Sequence, residues 1–194
     1  MKCDILIAGV GGQGTVLASR VLAAASIASG YFTRTSETIG MAQRGGCVVS
    51  HVRVGSQHSG SVIPMGEADL LIGFEPAETV RNLGRLSKEG RCIVNTRAIK
   101  PVTASLGSSA YDVDAVYEFV KEKVPGAILV DGYALAADAG SVKAVNIVLL
   151  GVAASTGLLP FGRDVLEKVI RENVPAKFLE LNLKALDAGF RYGL

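Results

Sequence analysis

The sequence predicts an α/β fold in three layers (α/β/α): helices over both faces of a mainly parallel sheet, with a helical C-terminal region. Three observations predict it. Short apolar runs alternate with helical patterns as far as Val130, the order that a parallel sheet with crossover helices requires. A glycine-rich turn, Gly9-Val10-Gly11-Gly12-Gln13-Gly14, divides the first apolar run from the first helical one, which makes the fold Rossmann-like. Beyond Asp131 the strand pattern stops and helical patterns follow.

The elements follow in order. Cys3–Ala8 reads as a short buried strand. Thr15–Ser29 is rich in alanine and suits a helix lying close on a sheet, with Gly30 placed to end it. Tyr31–Thr35 is β-prone, Cys47–Val54 is a second clear strand and Ala68–Phe74 a third. Glu75–Leu86 suits a helix, Arg91–Asn95 a strand, Asp112–Glu122 a helix and Ala127–Val130 the last strand. Val142–Ser155 is an apolar helix, Arg163–Glu172 an amphipathic one and Ala176–Phe190 a third. In the last, Leu179, Leu183, Leu186 and Phe190 form one stripe. That stripe and Val142–Ser155 serve either core packing or a subunit interface. Ser56–Pro64, with a glycine and three serines, reads as a mobile loop. No repeat, low-complexity stretch or linker interrupts the chain, so residues 1–194 read as a single domain.

Composition excludes several classes of function. The chain has 20 Lys and Arg against 18 Asp and Glu, and no basic block, so nothing draws it to a nucleic acid. The longest apolar run, Ala144 to Ala154, contains Asn146 and falls short of the roughly 20 residues that a membrane span needs. Met1-Lys2 leads straight into the first strand without a signal-type apolar region. A cytoplasmic protein is expected. Cys3, Cys47 and Cys92 stand far apart in predicted strands, where they read as buried free thiols without metal-ligand spacing.

Gly9, Gly11 and Gly14 match G-x-G-x-x-G between a strand and a helix. The start of that helix would offer free N–H groups and a positive dipole end to an anion or cofactor. The same glycines are equally what a tight strand-to-helix turn needs. For a dinucleotide, Glu37 is the candidate ribose-binding acid, though it sits awkwardly beyond Ser36. In the segment from Ser36 to Gly46, Arg44 followed by Gly45 and Gly46 is either an anion receptor or a surface arginine paired with Glu37. In the next strand Val49, His51 and Arg53 share one face and Val48, Ser50, Val52 and Val54 the other; His51 reads as structural. His58 lies in the loop and reads as solvated. Asn146, in an apolar helix, should be hydrogen-bonded, since a buried amide without a partner costs about 1–3 kcal/mol. It ties either to a neighbouring loop or to a group in a cleft.

Taken together, Gly9 to Gly14, Glu37-Thr38-Ile39-Gly40, Arg44-Gly45-Gly46 and Ser50-His51-Val52-Arg53 resemble the gamma-type subunits of 2-oxoacid:ferredoxin oxidoreductases. Within that family the pattern is most similar to the beta subunits that serve indolepyruvate. Asn146 with Leu149-Leu150-Gly151, then Pro175, Asn182 and Gly189, extend the resemblance along nearly the whole chain. The resemblance implies an enzyme complex that decarboxylates a 2-oxoacid on thiamine diphosphate with Mg2+, reduces ferredoxin through [4Fe-4S] clusters and releases an acyl-CoA. It implies that a larger alpha subunit carries those cofactors, with CoA as co-substrate, and that this chain binds none and is inactive alone. Gly9, Gly11, Gly12, Gln13, Gly14, Arg44, Gly45, Gly46 and Asn146 are the residues that it marks for contact with a cofactor or partner.

The sequence agrees with that division of labour. Asp131-Gly132 follows Val130 where a thiamine diphosphate motif has glycine, and Asn146 comes too early for its asparagine. Side chains alone supply neither a carbanion sink nor an electron carrier. Other readings stand beside it: the gamma subunit of a pyruvate, 2-oxoglutarate or ketoisovalerate ferredoxin oxidoreductase, a stand-alone NAD(P)- or flavin-dependent reductase using the glycine loop, and a non-catalytic module sharing only the fold.

Overall fold

A computed structural model describes residues 1–39, 46–55, 60–99 and 111–193. Among these, β1 (Cys3–Val10), β2 (Thr33–Ile39), β3 (Cys47–Val54), β4 (Ala68–Gly73), β5 (Leu86–Asn95) and β6 (Ile128–Val130) form one sheet in the order β2-β3-β1-β4-β5-β6. The ladders β1–β4, β4–β5 and β5–β6 are parallel, as the strand–helix alternation predicts. The other side is different: β3 runs antiparallel to both β1 and β2. Helix α1 (Thr15–Ala28) carries the chain from β1 to β2 past a one-strand gap, and β3 returns to fill it. The sheet is therefore mixed, with three of its five ladders parallel.

The pleat of β1 shows why it sits centrally. Ile5 and Ile7 point into one core with Val52, Val54, Leu70 and Ile72, while Leu6 and Ala8 point into another with Leu71, Cys92 and Val94. Helices α2 (Pro76–Asn82) and α3 (Val113–Lys123) cover the second, smaller core through Val80 and Val120. The larger core lies under α1 and under α4 (Gly132–Ala139), α5 (Val145–Ser155), α6 (Arg163–Asn173) and α7 (Ala176–Tyr192). This is the expected three-layer arrangement with a helical C-terminal region. Every residue of α5 from Val145 to Ala153 is buried, which accounts for its lack of a polar face. The leucine stripe of α7 packs inward: Leu186 is fully buried, and Leu179 and Leu183 lean on the same core. At the crossing of the two helices, Gly151 lies against the Leu186 carbonyl and Gly189 against the Val148 carbonyl.

Several boundaries differ from expectation. Leu86 pairs with Ala68, so β5 begins there and not at Arg91. For the same reason the helix expected over Glu75–Leu86 shortens to α2 and a 3-10 turn, Leu83–Arg85. Cys3 and Cys92 are buried, and burial pushes both thiols up to about 12. Cys47 is a correction: it is exposed, because it opposes Val10 at the end of the ladder and the burial of β3 starts only at Val48. Residues 56–59 of the expected mobile loop, His58 among them, lie outside the described residues. The rest is anchored, since the Gly60 and Val62 carbonyls accept hydrogen bonds from Arg53 and the Ile63 N–H donates to His51 Nδ1.

That anchor makes His51 structural, as its strand position suggests. Burial, helped by Arg85 and Arg53, lowers its pKa to about 4. A folded pKa below the unfolded value means that the unfolded chain takes up the proton first as pH falls. The contribution is therefore complete above about pH 6.5 and lost progressively toward pH 4, on the order of 3 kcal/mol in all. The Tm of wild type should exceed that of His51→Gln by a constant margin above pH 6.5, and the margin should shrink as pH falls toward 4. A margin that stays constant down to pH 4 would assign the anchor no proton linkage.

Candidate functional site

The C-terminal ends of the parallel strands carry the site, as is usual in open α/β sheets. Gly11 to Gly14 turn the chain from β1 into α1, and Gly12 (φ 102°) and Gly14 (φ 82°) both adopt left-handed backbone that other residues disfavour. Gly9 acts differently. A β-carbon there would lie 2.7 Å from Phe74 Cβ, so its absence lets the end of β4 close on β1.

Gln13 closes that seam. Its Oε1 accepts from the Val10 N–H at 2.8 Å and its Nε2 donates to the Phe74 carbonyl at 2.8 Å. The same carbonyl accepts from Asn95 Nδ2 at 3.0 Å, and Asn95 Oδ1 accepts from the Gly132 N–H at 3.0 Å. One chain of amide hydrogen bonds thus laces the ends of β1, β4, β5 and β6. The side-chain amide of Gln13 is committed to main-chain groups, while its residue still lines the cleft above.

That cleft, about 350 Å3, lies between Gly12 to Gly14 on one side and Tyr133, Lys143 and Asn146 on the other. A β-carbon on Gly14 would sit 3.0 Å from Asn146 Nδ2, so the asparagine rests directly on the turn. Asn146 is only 3% exposed, yet its amide makes no hydrogen bond among the described residues. No side chain caps α1, and its first turn holds no acidic residue. A β-carbon on Gly12 would meet nothing within 4 Å, so the backbone there faces open space. Lys143 adds a positive charge at the rim, and Arg97 stacks over the Tyr133 ring with its guanidinium carbon 4.9 Å from the centroid. An anion or a hydrogen-bonding polar group suits this arrangement.

The structure brings most of the expected site residues together. Gly11, Gly12, Gln13 and Gly14 form the turn, Gly9 lies at the end of the strand that leads into it, and Asn146 lies over Gly14. The Gly46 carbonyl accepts from the Gly11 N–H at 2.9 Å, which ties the end of the second glycine segment to the first. Arg44 and Gly45 lie outside the described residues. Glu37 is placed elsewhere: its Oε1 accepts from Ser19 Oγ at 3.0 Å, and β3 separates its strand from β1. One intervening strand moves it one strand spacing, about 5 Å, beyond the position of a ribose-binding acid.

Sequence reasoning missed Lys143 and Tyr133. Lys143 stands three residues before Asn146, a helical spacing that could have marked it. Tyr133 carries no such signal in its alanine-rich helix. It also missed Glu75, 1% exposed, which caps α2 and accepts from the Ile99 N–H and from Tyr111 Oη at 2.6 Å. Burial and that carboxylate raise the Tyr111 pKa.

Among the described residues no donor set fits the implied cofactors. Asp131 caps α4 by accepting from the Ala134 N–H, so it is not presented as a ligand. Among the described residues no group of three or more His, Cys, Asp or Glu side chains could hold a metal ion. No helix among them is long and apolar enough to cross a membrane.

Comparisons with known proteins agree in direction. The pyruvate ferredoxin/flavodoxin oxidoreductase family matches residues 4–192. An indolepyruvate oxidoreductase subunit IorB from Archaeoglobus fulgidus is 39% identical over 100% of this chain and 96% of its own. The solved gamma subunit of a keto/oxoacid ferredoxin oxidoreductase from Geobacter sulfurreducens superposes with a TM-score of 0.72 at 26% identity, covering 98% of both chains. A 2-oxoglutarate:ferredoxin oxidoreductase from Magnetococcus marinus shares the fold, with a TM-score of 0.73 at 19% identity. The match covers 99% of this chain but 31% of that one, so the fold there is part of a longer chain.

Proposed function

The chain belongs to the pyruvate ferredoxin/flavodoxin oxidoreductase family, and from that membership we propose that it is the small subunit of an indolepyruvate:ferredoxin oxidoreductase. The observation that carries the reading is full-length identity of 39% to a subunit of that name. The complex oxidatively decarboxylates an aryl 2-oxoacid with CoA, yielding acyl-CoA, CO2 and reduced ferredoxin. Its larger alpha subunit holds thiamine diphosphate, Mg2+ and the [4Fe-4S] clusters, and ferredoxin meets the assembled complex in the cytoplasm.

In this reading the small subunit completes the site and supplies the glycine-loop cleft, where Gly12, Gly14 and Asn146 receive an anionic group. Arg44, next to Gly45 and Gly46, holds a negative group of CoA or of the alpha subunit. The test is co-expression of the two subunits and 2-oxoacid-dependent viologen reduction, with indolepyruvate, pyruvate and 2-oxoglutarate compared. Activity should require both chains and favour indolepyruvate. Arg44→Ala should raise the KM for CoA or weaken assembly about tenfold, the loss expected for a charge-assisted hydrogen bond. A partner equally active without this chain would overturn the subunit reading.

A further inference from the structure

The cleft does not end at Asn146. Leu17, Lys143 and Asn146 also line a second hollow of about 300 Å3, so the two adjoin and share a wall, and together they make a groove in two parts. Its far part is walled by Val174, Pro175, Phe178 and Leu181. Leu17 is 49% and Phe178 45% exposed, an apolar pair left open to water. The groove is thus polar at the glycine loop and apolar toward α7, with Asn146 at the join.

Each end restricts the occupant. At the polar end, α1 starts without a side-chain cap or an acid in its first turn, and the buried Asn146 amide has no partner there. Helix α7 also begins at the groove, at Pro175, and has neither cap nor acid. Lys143 contributes a further positive charge. These groups call for a small anion that also exchanges a hydrogen bond with an amide. The apolar end calls for a flat or bulky hydrocarbon body. Since Asn146 borders both hollows, only a few atoms separate the two.

We propose that this groove binds a carboxylate carrying an aromatic side chain, with the carboxylate between the Gly12–Gly14 backbone and Asn146 and the ring between Leu17 and Phe178. An aryl 2-oxoacid, in which two carbons separate ring and carboxylate, has this form. The identification of the ligand with the substrate class rests on the function proposed above; the groove itself does not. The chain positions the acid and carries out no step on it.

Calorimetric titration of the full-length chain tests this. Indole-3-pyruvate and phenylpyruvate should bind saturably at one site, and pyruvate, lacking the ring, should not bind in the same range. Asn146→Asp, which sets a negative charge against the carboxylate, and Phe178→Glu should each weaken binding at least tenfold, the exposed Phe178→Glu without a change in Tm. Phe119→Glu, an exposed aromatic on α3, should bind as wild type. No saturable binding by wild type, or equal binding by the Asn146 and Phe178 variants, would overturn the proposal. If Asn146→Asp is poorly folded, Phe178→Glu decides alone. The viologen assay separates the two readings. An active complex whose small subunit binds no aryl acid refutes the groove and keeps the subunit. Groove binding with no activity in any reconstituted complex does the reverse.

Discussion

Replacing Arg53 with methionine should destabilise the protein by about 3–5 kcal/mol, the cost of stranding one member of a buried ion pair. Asp4 is fully buried on β1, and Arg53 on β3 holds it with two hydrogen bonds, Nε to Oδ1 at 3.0 Å and Nη2 to Oδ2 at 2.8 Å. The guanidinium also anchors the Gly60 and Val62 carbonyls, so one substitution loosens a strand pair and a loop together. Lys2 lies 3.1 Å from the same carboxylate but is half exposed, and a solvated ammonium compensates only weakly. Urea unfolding should show the loss as a lower midpoint with an unchanged slope. The double substitution Asp4→Leu with Arg53→Met should recover most of it, because an apolar pair leaves no charge unpaired. A single variant within about 0.5 kcal/mol of wild type would show that Lys2 alone compensates the Asp4 carboxylate.

The second large effect is steric. A β-carbon at Gly189 would overlap the Val148 carbonyl of α5, and main chain cannot rotate away. Alanine in a helix interior normally gains about 1 kcal/mol over glycine. Prying α5 from α7 costs about 3 kcal/mol, so Gly189→Ala should be net destabilising by about 2 kcal/mol and lower Tm by roughly 4–8 °C. A rise in Tm would mean that the helices separate freely. Adding Gly151→Ala, which overlaps the Leu186 carbonyl at the same crossing, should cost less than the two losses summed, since both open one gap. The change reaches the site as well, because α5 carries Asn146 and its displacement withdraws the amide from Gly14.

How much of this was legible in the sequence depends on range. The Gly9–Gly14 turn, its helix and the late helices were readable because their signals are local: glycines between two periodic patterns, and leucines on one stripe. The two faces of β3 were readable for the same reason, and Arg53 and His51 do share one. The insertion of β3 between β1 and β2 was not, since pairing Cys3 with Val54 is decided by packing across half a hundred residues. That insertion also removes Glu37 from the place where a dinucleotide reading needs it. Gln13 shows the limit within a motif. Its position in the glycine loop suggested ligand contact, whereas its side-chain amide joins two strand ends through the Phe74 carbonyl, a partner 61 residues away. The solitary amide of Asn146 was visible as an anomaly in an apolar helix, but the turn it rests on was not.

The order of the helices along the chain bears on how the molecule is made. All six strands are complete by Val130, yet α5, α6 and α7, which cover much of the larger core, occupy residues 145–192. A nascent chain leaving the ribosome N-terminus first therefore holds a full set of strands with one apolar face sheltered mainly by α1. Such a face is prone to association until its cover arrives. The larger core therefore closes late in the order of synthesis, and the yield in a cell should respond to chaperone capacity as well as to the stability of the finished fold.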